Sequence, residues 1–116
     1  MNQNEIPKET QEDLLNLQNL QRQMQMLVTQ EQQLEVEKSL LTQALEELKK
    51  AEGKTYKNIG GIIIEQDKES LIKELEEKQE KVKQHLETLK KQEERIKKKA
   101  NEVQERIEKA LNKDKK

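Results

Sequence analysis

The chain has no cysteine, no tryptophan and no phenylalanine, and only one tyrosine, one proline, one histidine and three glycines in 116 residues. Absence of cysteine removes disulfide frameworks and thiolate metal sites, and suits a reducing compartment such as the cytoplasm. A single aromatic ring leaves little from which to build a conventional globular core, since aromatic side chains supply the largest burial per residue. No run approaches the ~18 consecutive apolar residues of a membrane span, so no membrane role is expected. The start of the chain, polar and acidic through Asp13, lacks the apolar segment of a secretory leader. Neither sign of charge prevails. With 23 Lys+Arg against 24 Asp+Glu the net charge is −1, which gives no global pull towards nucleic acid. Enzyme chemistry has nothing to stand on: there is no thiol nucleophile, no Ser/His/Asp set and no phosphate-cradling glycine loop. No catalytic residue, metal or cofactor is expected. His85 has no partner at ligand spacing and reads as a surface residue.

What the chain does have is charge and leucine. Charged residues make up 41 % of it, and Leu, Ile and Val together number 27. That composition belongs either to a disordered chain or to one built from long helices. Periodicity decides. From about residue 9 to 51 there is no Gly or Pro, and heptads place Leu17, Met24, Glu31, Lys38 and Leu45 at a, with Leu20, Leu27, Leu34, Leu41 and Leu48 at d. Over 68–112 the a positions are Ile72, Gln79, Leu86, Glu93, Ala100 and Ile107, and the d positions Leu75, Val82, Leu89, Ile96, Val103 and Ala110. Alternation by three and four, sustained this far, is a coiled-coil seam. Each helix should run about 60–65 Å at ~1.5 Å per residue. Pro7 suits the first turn of helix 1, Asp67 suits the N-cap of helix 2, and Gly53 after Lys49 and Lys50 reads as a C-cap.

Between the helices, over 54–66, Gly60-Gly61 is a turn dipeptide flanked by two strand-favouring runs, Thr55–Ile59 and Ile62–Gln66. The reading is a β-hairpin. Folding back there makes the helices antiparallel, with Leu48 against Leu71 and Leu75 and Leu17 against Val103. The opposite charges of the two ends, −3 over residues 1–34 and +5 over 90–116, then meet. Such surface pairs select orientation and add little stability. The hairpin cannot stand alone. Ile62, Ile63 and Ile64 point to both faces, its edges are open, and an isolated two-stranded hairpin is marginal in water. No other layer exists within the chain, so other chains must cover it. Oligomerisation through Tyr56, Ile59, Ile62, Ile63 and Ile64 is therefore expected, giving a multi-chain sheet or β-barrel with helical arms. The fold class is mainly α: a long antiparallel two-helix coiled coil joined by a short β-hairpin.

The pattern Tyr56-Lys57-x-x-Gly60-x-Ile62-x-Ile64 between two helices of similar length resembles the β-type subunit of prefoldin, over nearly the whole chain. Ala44-Leu45-Glu46-Glu47-Leu48, Leu71 to Leu75, and Gln92-Glu93-Glu94-Arg95-Ile96 also look like that family. One hairpin, rather than two in tandem, fits the β-type. The absence of cysteine and the richness in Lys, Glu and Ile look archaeal. The resemblance implies one prefoldin-like domain over 1–116, in a hexamer of two α-type and four β-type subunits whose hairpins form a barrel. It also implies an ATP-independent holdase that takes unfolded client proteins between its coiled-coil tips and passes them to a group II chaperonin in the cytoplasm.

A holding chaperone needs exposed apolar surface. At the expected tip, Leu14, Leu15, Leu17 and Leu20 of helix 1 meet Val103, Ile107 and Leu111 of helix 2. Leu14, Leu15 and Leu111 lie off the seam and should face solvent, and fraying would open the other four. The competing reading is that all seven finish the coiled coil. Met24, Met26, Leu27 and Val28 offer either a soft binding surface or, for Met24 and Leu27, core. Lys97-Lys98-Lys99 reads as a solvated helix face. Lys109, Lys113, Lys115 and Lys116 could meet an acidic chaperonin surface. The alternative function, from a different class, is a tethering coiled coil with one dedicated partner.

Overall fold

The computed structural model of the chain describes residues 6–112. Their order is helix α1 (Lys8–Lys50), strand β1 (Tyr56–Ile59), strand β2 (Ile62–Glu65) and helix α2 (Lys68–Asn112). Contacts group them into a hairpin unit, Glu31–Thr88, and a terminal unit made of the segments up to Gln30 and from Leu89 onward.

Local chemistry sets the ends of the helices. The Pro7 carbonyl accepts the Gln11 N–H at 3.0 Å, the first helical bond of α1, and proline lacks only an N–H that would have no partner there. At the other end the Ala51 N–H donates to the carbonyls of Glu47 and Leu48 at 3.0 and 3.2 Å. Gly53, at φ +90°, lies three residues beyond Lys50, so the glycine takes the chain away from the helix without capping it. A lysine does the capping. The Lys68 ammonium, on the first residue of α2, donates to the carbonyls of Lys49 at 3.1 Å and Ala51 at 2.8 Å. It places a cation at the negative end of the α1 dipole. Asp67 is the N-cap of α2: its carbonyl takes the Leu71 N–H and its carboxylate the Ser70 N–H at 3.3 Å.

The seam is closed in both units. Of the nine apolar residues buried among the described residues, eight (Leu20, Leu27, Leu45, Val82, Leu86, Leu89, Val103 and Ile107) occupy heptad a or d positions. The ninth, Leu71, joins from the first turn of α2. In the terminal unit Leu20, Val103 and Ile107 form a buried cluster, with Leu17, Ile96 and Ala100 packed on it. Leu17 thus packs on the cluster that holds Val103, and the Arg106 guanidinium donates to Asp13 at 3.2 Å, so the segments run antiparallel there. In the hairpin unit Gln79, a polar seam residue, donates to the Thr42 hydroxyl at 3.2 Å, which satisfies it across the helices. Lys38 stands exposed, and Glu93 is half-buried.

Strands β1 and β2 pair antiparallel in the register Tyr56–Glu65, Lys57–Ile64, Asn58–Ile63 and Ile59–Ile62. The ladder continues with Gln66 N–H donating to the Thr55 carbonyl at 3.0 Å. Gly60 (φ +55°) and Gly61 (φ +90°) form the two-residue loop, the pair of positive φ values that a type I′ turn demands. The Asn58 side-chain oxygen accepts the Gly61 N–H at 3.0 Å and fixes the loop.

Candidate functional site

Opposed residues of an antiparallel pair share a face. The register therefore puts Thr55, Lys57, Ile59, Ile62, Ile64 and Gln66 on one side of the hairpin and Tyr56, Asn58, Ile63 and Glu65 on the other. The first side is tied to α2 by one carboxylate. Glu74 accepts the Lys57 ammonium on Oε2 at 2.7 Å and the Gln66 amide on Oε1 at 2.9 Å, so one oxygen holds β1 and the other the residue that follows β2. The hydrogen bond from Lys57, and then that from Gln66, lower the Glu74 pKa below the usual carboxylate value. Thr55 is buried, and its hydroxyl donates to the Gln66 carbonyl at 2.6 Å.

The clamp orients the hairpin and does not cover it. Tyr56, Ile59, Ile62, Ile63 and Ile64 are between 47 % and 70 % exposed, and they occupy both faces. Beside β1 lies a shallow groove of about 460 Å³ with Leu48, Leu71 and Leu75 on its floor. All five residues expected to drive oligomerisation thus stand open in the single chain.

The terminal unit carries a second open surface. Leu14, Leu15 and Leu111 are 38 %, 63 % and 44 % exposed, whereas Leu20, Val103 and Ile107 are buried and Leu17 is half-buried. The seven expected tip residues divide into three facing solvent and four in the packed seam. Met24 and Val28 are half-buried, Leu27 is buried and Met26 is open. His85 and Lys97, Lys98 and Lys99 are exposed, as is Lys109. Lys113, Lys115 and Lys116 lie outside the described residues. Among the described residues no cluster of three or more His, Asp or Glu side chains is placed to hold a metal ion. No helix among them is long and apolar enough to cross a membrane.

Sequence reasoning did not reach Glu74 or Lys68. Two strand-borne donors on one hairpin face, Lys57 and Gln66, were a signal that a helix-borne acceptor was needed.

These features define a helix–hairpin–helix chain whose hairpin is apolar on two uncovered faces. The family described as prefoldin subunit matches residues 11–114. A prefoldin subunit beta of Archaeoglobus fulgidus is 38 % identical over 110 residues, covering 93 % of this chain and 95 % of the relative. One from Methanothrix thermoacetophila is 37 % identical, covering 92 % and 91 %. The crystal structure of the prefoldin beta subunit from Thermococcus strain KS-1 superimposes with a TM-score of 0.85 at 31 % identity, covering 91 % of this chain and 95 % of that one. The chain belongs to the prefoldin family, among its β subunits.

Proposed function

We propose that the chain is an ATP-independent holding subunit. It assembles through its hairpin into a β-barrel with α-type partners, in a hexamer of two α-type and four β-type chains. It captures unfolded clients with its coiled-coil tips and delivers them to a group II chaperonin in the cytoplasm, the whole chain acting as one domain. The observation that carries this reading is that large apolar side chains stay open in both units while the seam is closed. Tyr56 and four isoleucines are open on the hairpin, and Leu14, Leu15 and Leu111 are open in the terminal unit. A chain holding that much uncovered apolar surface is built to have it met by other molecules. Weak contacts at single tips gain strength when several arms hold one client.

The test is the triple variant Leu14→Ser/Leu15→Ser/Leu111→Ser in the assembled protein. Circular dichroism and native mass should be unchanged, and suppression of client aggregation, followed by light scattering, should fall. Unchanged suppression would remove the tips from the account. Suppression of only one of several unrelated clients would favour the tethering alternative.

A further inference from the structure

Within the terminal unit, helix α1 carries one long stretch that is almost uncharged. From Leu14 to Gln30 only Arg22 is ionised, in a chain whose residues are 41 % charged. Amides and apolar groups cost far less to desolvate than ions, so this stretch can be covered by another molecule where most of the chain cannot. It also forms one bank of a groove of about 420 Å³, a size that admits a few side chains. Met26, Leu27 and Ile96 give the groove an apolar floor, and Met26 is open to solvent. Gln23 and Gln30 line the α1 side, and Arg95 and Lys99, one turn apart, line the α2 side. None of the lining residues is acidic. The ion pairs Arg106–Asp13, Lys57–Glu74 and Lys54–Glu65 use neither Arg95 nor Lys99.

Each part has a matching chemistry. A methionine thioether adapts to differently shaped apolar side chains. Glutamine amides both donate and accept, as the backbone of an extended chain requires. Two cations on one edge select carboxylates. We infer that this groove binds an extended polypeptide segment whose large apolar side chains are flanked by Asp or Glu. The inference rests on the holding reading and adds to it the class of segment held. Nucleic acid fits worse, because the floor is aliphatic and has no ring on which bases could stack.

The chain's three methionines make the test direct. In full-length protein with carbon-13 methionine methyls, a short unstructured peptide of leucines flanked by glutamates should shift the Met26 methyl saturably. Its lysine-flanked twin should bind about tenfold more weakly. Arg95→Glu/Lys99→Glu, on an exposed helix edge, should reverse that order and leave helicity unchanged. Equal binding of the two peptides, binding that leaves Met26 unmoved, or a Met26 shift produced by a short single-stranded oligonucleotide and not by the peptide would each overturn the inference. The Leu14→Ser/Leu15→Ser/Leu111→Ser variant separates this from the tip reading. If holding is lost in that variant while the wild type fails to bind the peptide, the groove alone is refuted. If holding is unaffected while Met26 still reports the peptide, the tips alone are refuted.

Discussion

Val103 is 3 % exposed at the centre of the terminal cluster with Leu20 and Ile107. Val103→Ala removes two buried methyl groups, worth ~0.8 kcal/mol each, and leaves a small cavity, so it should destabilise the unit by about 2 kcal/mol. Leu15→Ala is the matched control. Leu15 is 63 % exposed, so only about a third of its burial is lost, about 0.9 kcal/mol. Hydrogen exchange at the amides of residues 14–20 and 100–107 reads these directly as opening free energies. At a factor of ten per ~1.4 kcal/mol, Val103→Ala should speed exchange about thirtyfold and Leu15→Ala less than about fivefold. The comparison matters for function, because the outer leucines stand open in the packed unit, whereas the seam residues become available to a client only when this end opens. If Val103→Ala accelerated exchange no more than Leu15→Ala, burial in the seam would not be what closes this end of the chain.

Other consequences follow from the hairpin unit. The Glu74 pKa is lowered in the folded chain, so the clamp is present above the ordinary carboxylate range and is lost as pH falls through that lowered value. The amide resonances of Lys57 and Gln66 should therefore move together on acidification, and Glu74→Gln should abolish the joint transition. Gly61→Val places a β-branched residue at φ +90°, where a Cβ meets nothing within 4 Å, so the cost is backbone strain alone, about 1–2 kcal/mol. It should weaken assembly measured by native mass, whereas Gly60→Asn at φ +55° should be tolerated. Asp67→Ala removes the N-cap of α2 and should lower stability by about 1 kcal/mol in a denaturant titration.

The helices and their seam were legible because heptad spacing is a local, repetitive signal that tertiary context did not override: Leu20, Leu27, Val82 and Val103 are buried as the pattern requires. The turn was legible for a similar reason, since Gly60-Gly61 suits positive φ at two successive residues. The two-sided apolar character of the hairpin could be read from Ile62-Ile63-Ile64 alone. What could not be read are contacts that join distant residues through long side chains. Lys68 reaching back to the carbonyls of Lys49 and Ala51, and Glu74 meeting both Lys57 and Gln66, depend on where the loop after α1 delivers the hairpin. Leu71 is buried off the heptad for the same reason, packing in the first turn of α2 beside the hairpin groove. Among the tip residues the sequence separated Leu14, Leu15 and Leu111 from the seam, and the degree of exposure came from the structure.

The most direct test of the account dilutes two unrelated denatured proteins into this chain, with and without an α-type subunit, and follows aggregation by light scattering. The account predicts suppression of both at close to one assembly per client when the α-type subunit is present. No suppression of either, with the assembly confirmed intact by native mass, would contradict it and leave a tethering coiled coil in its place.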